Sequence, residues 1–160
     1  MSYIIVGLGN PGEEYLNTRH NTGRMILEAF RKKADFPDWQ EDKKLKAEVS
    51  EGKIGKDKAV LICPNTFMNK SGDAVGKIKD IKVKMVGKGK DKRGEIGNLV
   101  VVHDDLDIPF GKFKISFNKS SGGHKGVESI MKTVKTEAFT RIRAGISSVN
   151  TKGVVKKPLG

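Results

Sequence analysis

The sequence predicts a single three-layer α/β domain over residues 1–160, with a mixed, mostly parallel twisted sheet flanked by helices. Three observations carry that expectation. Short β-branched runs, Tyr3 to Val6 and Leu99 to Val102, alternate with segments of helical apolar spacing. The Leu99-Val100-Val101-Val102 run has no polar break, as befits a strand covered on both faces. A chain of 160 residues, 36% hydrophobic and 31% charged, fills one core.

Tyr3 to Val6 reads as the first strand, and GLGNPG after it as a turn. Asn21 is positioned to cap a helix from about Thr22 to Ala34, whose Ile26, Ala29 and Phe30 share a face and whose end carries Arg31, Lys32 and Lys33. Lys46 to Ile54 and Lys58 to Cys63 form a hairpin about Gly55-Lys56-Asp57, and Ser71 opens a second helix. Residues 86–97, rich in Gly, Lys and Asp, are expected as a surface loop. Asn98 to Val102 is the central strand, so HDDLD emerges at its C-terminal end. A strand over Lys112 to Phe117, a helix over Gly126 to Val134 and a strand over Arg141 to Ile146 follow. Ligand chemistry in such sheets gathers at strand C-terminal ends, so the turns after Val6, Cys63 and Val102 should converge on one cleft.

The formal net charge is +12, from 31 Lys+Arg against 19 Asp+Glu. Residues 111–160 hold 11 basic and 2 acidic groups, and residues 77–93 hold 8 and 2. Blocks of this kind suit a polyanion such as RNA or serve as a solvated face. No apolar stretch approaches bilayer-spanning length, and the N-terminus lacks a basic leader, so a cytoplasmic protein is expected. One cysteine, Cys63, and three histidines exclude a disulfide framework and a thiolate zinc cluster.

Gly7, Gly9 and Gly12 satisfy GxGxxG, but Pro11 stiffens the turn and the helix starts near Asn21, which argues against a dinucleotide site. His20 lies in a polar loop before a helix. Asp104 falls at the end of a buried strand, where a carboxylate needs a partner, and a carboxylate beside an imidazole fixes its tautomer and raises its basicity. Without a nucleophile elbow for Ser71 or Cys63, that pair points to activation of water. His103, Asp104, Asp105 and Asp107 could instead hold a divalent ion or make a turn. Phe67, Met68 and Asn69 offer a platform and an amide, with core the plainer role for Met68. Residues 120–126, SSGGHKG, supply backbone donors for a phosphate or a turn.

GLGNPGEEYLNTRHNTG (7–23), PNTFMNKSG (64–72), HDDLDIPFG (103–111), GGHKG (122–126) and the closing RIRAGI together resemble bacterial-type peptidyl-tRNA hydrolase. Residues 35–60 and 77–97 carry little of that likeness. The resemblance implies hydrolysis of the ester between a peptide and the 3′ ribose of tRNA, with no cofactor, by a single-domain monomer. It implies His20 as general base on water, Asp104 as the group that keeps it basic, and Asn10 as discriminating blocked from free aminoacyl-tRNA. Tyr15, Phe67, Met68 and Asn69 match the substrate site. A non-catalytic RNA-binding relative is the rival reading.

Several positions depart from the family pattern. Lys125 stands where the family usually has Asn, replacing an amide with a donor-only cation. Ser116 stands where a basic residue is common, and Asn118-Lys119 replace a usual Gly. The RNA path is therefore expected over Lys114, Lys119, Lys125, Arg141 and Arg143. The family's C-terminal helix, after the last strand, is expected to be missing from a chain that ends at Gly160.

Overall fold

The computed structural model describes residues 2–150 and 155–156. Its centre is four parallel strands, in the order β4 (Asp57–Pro64), β1 (Ser2–Gly7), β6 (Arg93–Pro109) and β8 (Ala138–Val149). Antiparallel strands border them. β3 (Ala47–Ile54) pairs β4 as the expected hairpin and carries β2 (Gln40–Asp42) outside it. β7 (Phe113–Phe117) closes the other edge against β8, and β9 (Val155–Lys156) pairs the end of β8.

Period-two alternation along the central strands sorts side chains into two cores. Ile4 and Val6 of β1 and Ile62 of β4 pack under α2 (Ser71–Val75) and α3 (Lys125–Val134) with Val75, Val127 and Ile130. Tyr3 and Ile5 of β1, with Ala59, Leu61 and Cys63 of β4, pack on the other face under Leu27 and Phe30 of α1 (Thr22–Lys33). Helices on both faces of a mixed sheet are the three-layer arrangement that the sequence predicts. α1 sits very close to the sheet. A Cβ on Gly23 would lie 2.2 Å from the Val102 carbonyl oxygen, and one on Gly7 would lie 2.7 Å from that of Gly23.

Three local expectations are corrected. Asn21 precedes α1 but does not cap it: its carboxamide accepts from Asn10 N–H at 2.7 Å and donates to Asn10 C=O at 2.9 Å, so the side chain holds the first turn instead. The segment 86–97 is not a loop throughout. β5 (Val83–Val86) pairs Arg93–Ile96 of β6, leaving a turn whose Gly87 and Gly89 take positive φ. β6 also does not stop at Val102, because β8 keeps pairing with it as far as Pro109 across a register shift after Asp105. HDDLD thus lies within a strand. Residues 151–154 and 157–160, where the chain's end was expected to bear on a missing helix, lie outside the described residues.

Candidate active site

The C-terminal ends of β1 and β4 converge beside the middle of β6 rather than at its end. Leu8 N–H donates to Val102 C=O at 3.0 Å, and Asn10 Oδ1 accepts from Met68 N–H at 2.7 Å, which ties the turn after β1 to β6 and to the loop after β4. Arg24, in the first turn of α1, donates to Pro64 C=O at 2.6 Å, and its own N–H donates to Leu8 C=O. Gly7 and Gly9 of GLGNPG thus serve close packing against α1 while Gly12 takes a positive φ, and the start of that helix is spoken for by protein rather than by a pyrophosphate.

His20 sits on this framework, in a 3-10 turn (Arg19–Asn21) just before α1, with its side chain 46% exposed. Its Nδ1 lies 2.6 Å from Asp104 Oδ2. The other carboxylate oxygen, Oδ1, is 2.8 Å from Nε2 of His124. His124 caps α3: its Nδ1 accepts from Gly126 N–H at 3.1 Å and Val127 N–H at 3.3 Å. That fixes the tautomer, so the proton of His124 is on Nε2 and points at Asp104. Asp104, 4% exposed, therefore receives an N–H on each oxygen. His20 donates through Nδ1 and presents Nε2 with a free lone pair.

Electrostatics follow from this chain. Burial alone would raise the Asp104 carboxyl, but the hydrogen bonds from His124 and His20 outweigh it and hold the group well below the usual carboxylate range. The bond to Asp104 raises the His20 imidazole above its ordinary value against an opposing effect of burial. Beneath them lies His103, 1% exposed, which donates from Nδ1 to Asp104 C=O at 2.8 Å and accepts at Nε2 from Arg141. Burial, with the neighbouring His124, pushes its imidazole down to about 4, so it stays neutral.

These residues line a cleft of about 420 Å³, together with Asp105, Asp107, Lys119, the 120–123 loop, Lys125 and Arg143. His20, Asp104 and His124 each bring a ligand atom within 4.8 Å of the others. Both imidazole nitrogens that face the carboxylate carry protons, however, so the trio is a hydrogen-bonded chain rather than a set of convergent lone pairs. Asp105 is likewise engaged, by Arg143 Nε at 2.8 Å and Asp107 N–H at 2.7 Å.

The other candidates divide. Asn10 has its oxygen fixed by Met68, which leaves its Nδ2 as a donor. Phe67 is 57% exposed and Asn69 is exposed beside it, while Tyr15 is half-buried in a 3-10 turn (Glu13–Tyr15). Met68 is a correction: its side chain belongs to the core under α3, and only its backbone N–H reaches Asn10. Arg141 is a second correction. It is 2% exposed, and its guanidinium donates to His103 and to the carbonyls of Lys119 and Ser120, so it anchors the 118–124 loop instead of facing RNA. Arg143 is mostly covered but borders the cleft, bonded to Asp105 and Ser116. Lys114, Lys119 and Lys125 are exposed. Cys63 and Ser71 are not nucleophiles: burial pushes the Cys63 thiol up to about 12, and the Ser71 hydroxyl, fully buried, donates to Met68 C=O.

Sequence reasoning missed His124. The signal available was a histidine directly before a helical stretch, in the capping position.

A family model described as peptidyl-tRNA hydrolase matches residues 4–157. The chain belongs to the peptidyl-tRNA hydrolase family. It is 42% identical over 145 residues to the peptidyl-tRNA hydrolase of Prochlorococcus marinus (strain AS9601), covering 90% of this chain and 66% of that one. It is 39% identical over 144 residues to that of Listeria innocua serovar 6a, covering 90% and 72%. The crystal structure of peptidyl-tRNA hydrolase from Acinetobacter baumannii superimposes with a TM-score of 0.78 at 30% identity, over 98% of this chain and 76% of that one. The chain thus spans between about two thirds and three quarters of the length of these members of the family.

Proposed function

We propose that the chain carries out its family's reaction, hydrolysis of the ester joining a peptide to tRNA, with His20 as the base that activates water. One observation carries this reading: the half-exposed His20 imidazole lines the cleft and donates through Nδ1 to a buried carboxylate, which leaves Nε2 without a hydrogen-bond partner among the described residues. A water at Nε2 gives up its proton as its oxygen bonds to the ester carbonyl carbon. The tetrahedral intermediate then expels the 3′ oxygen of the ribose, which takes the proton back from the imidazolium. Asp104 stays ionised throughout and stabilises that cation.

In this reading Asn10 Nδ2 and the Asn69 carboxamide hold the peptide, and Phe67 and Tyr15 give it apolar contact. Lys119, Lys125 and Arg143 at the cleft, with Lys114 on the edge strand, offer positive charge to the RNA phosphates. No helix among the described residues is long and apolar enough to cross a membrane. The reading includes a monomer acting in the cytoplasm, where a lone thiol stays reduced.

The test is release of a labelled N-acetyl-aminoacyl group from tRNA, with and without EDTA, and with unblocked aminoacyl-tRNA as control. Cleavage of the blocked substrate alone, unaffected by EDTA, is the expected result. Binding of tRNA without cleavage would replace the hydrolase by a non-catalytic RNA-binding member.

A further inference from the structure

The cleft leaves one strongly charged part of the molecule unused. Residues 77–93 carry Lys77, Lys79, Lys82, Lys84, Lys88, Lys90, Lys92 and Arg93 against Asp80 and Asp91. All eight are exposed, and among the described residues only Arg93 has an acidic partner, Glu95. Six of them, Lys82 to Arg93, sit on the β5–β6 hairpin and its lead-in.

The hairpin is fastened to the fold. Asn98, 4% exposed, donates to Ser2 C=O at 3.0 Å and Asp80 C=O at 2.8 Å and accepts from Lys82 N–H at 3.3 Å. Thr136, just beyond α3, donates its hydroxyl to Gly94 C=O. The tip closes in a 3-10 turn (Gly89–Asp91), with Asp91 N–H donating to Lys88 C=O at 3.1 Å. A buried amide with three backbone partners thus fixes the base of the hairpin that carries these lysines.

The array stands at the far end of the sheet from the cleft. Arg93 and Asp104 lie toward opposite ends of β6, on either side of the irregular stretch in which Glu95 to Val100 runs beside only Ala138 to Thr140 of β8. α3 bridges the two ends, starting at Lys125 beside the cleft and finishing next to Thr136 at the hairpin base, with exposed Lys132 and Lys135 along it.

We infer that the β5–β6 hairpin is a second RNA-binding surface, which holds the phosphate backbone of the helical body of the tRNA whose 3′ end occupies the cleft. The inference rests on the proposed function for the identity of that RNA. Unpaired lysines without base-reading groups recognise phosphate spacing rather than sequence, so the surface adds affinity without selecting among tRNAs.

The test compares the wild type with the quadruple variant Lys84→Gln, Lys88→Gln, Lys90→Gln, Lys92→Gln and with the corresponding quadruple Lys→Arg variant. Binding of deacylated tRNA is measured against salt, which reads the hairpin even if hydrolysis fails. Hydrolysis is measured on N-acetyl-aminoacyl-tRNA and on a short N-acetyl-aminoacyl oligonucleotide ending in CCA. Expected for the Gln variant are weaker tRNA binding, on the order of tenfold, and a log-log salt slope lower by about 0.7–0.9 per lysine that meets a phosphate. KM on full tRNA should rise with kcat unchanged, the short substrate should be unaffected, and the Arg variant should behave as wild type. An unchanged slope and affinity would reduce the array to a solvated face. Equal losses on the short substrate would show that the effect passes through the cleft and overturn the inference. Loss of binding to anionic lipid vesicles with tRNA binding intact would assign the lysines to a membrane surface instead.

Discussion

His124 donates to one oxygen of Asp104 across 2.8 Å while His20 donates to the other, so one buried carboxylate bridges two imidazoles whose ring centres lie 5.2 Å apart. The two histidines do different work on it. His124 has both nitrogens committed, one to the carboxylate and one to the first turn of α3, and so acts as a positioning residue. His20 has one nitrogen committed and one open.

Removing the open nitrogen should remove turnover. His20→Ala is expected to lower kcat by about 10² to 10⁴, the usual worth of general base catalysis, with tRNA affinity within about twofold of wild type. Single-turnover release from N-acetyl-aminoacyl-tRNA and a binding isotherm check both halves. Unchanged turnover would remove His20 from the mechanism.

The reaction should have an acidic limb. The base works unprotonated and its imidazole is raised above 6.5 by Asp104, so kcat should climb with pH through a midpoint above that value. In Asp104→Asn the midpoint should move down and the plateau should fall. Stability follows the same linkage. The raised His20 contributes fully below 6.5 and loses its share as pH rises through the folded value. The depressed Asp104 contributes above 3.8 and loses its share as pH falls through its folded value. The Tm gap between wild type and Asp104→Asn should therefore be widest between these two pH values, equivalent to about 2 kcal/mol.

His124→Asn separates positioning from capping. Asparagine is a good N-cap, so α3 should keep most of its stability, within about 1 kcal/mol. Its side chain is too short to reach Asp104, so the acidic limb of the rate profile should shift while KM for tRNA stays put. A variant with the wild-type pH profile would confine His124 to capping.

Arg141 and Arg143 should behave oppositely although they sit two residues apart on β8. Arg141→Met strands His103 and two loop carbonyls and is expected to cost about 3 kcal/mol in urea unfolding. Arg143→Gln should cost less than that and lower the salt slope of tRNA binding by nearly one unit. A larger salt effect from Arg141 would return it to the RNA path.

The His20 and Asp104 pairing was readable from the sequence because a carboxylate at a buried strand end needs a partner and a loop histidine can supply one. Asn10 was readable as the polar residue in an otherwise packed glycine turn. Arg141 was not, since the alternation Arg141-Ile142-Arg143 says which residues share a face of β8 but not that the 118–124 loop covers one of them. Met68 was drawn into the site by its neighbours Phe67 and Asn69, although the 3-10 turn over Met68–Lys70 sends its side chain inward. Glycines at 87 and 89 hid β5, whose Val83 and Met85 lie over Gly94 in the finished hairpin.

The seat of Gly23 against Val102 reaches beyond packing. The helix that follows His20 and the strand that carries Asp104 meet there with no room for one to slide over the other. His20 and Asp104 consequently ride as a single unit, already assembled in the chain by itself. Encounter with substrate then needs no slow isomerisation at the centre, and the association phase should be a single exponential whose rate grows linearly with concentration.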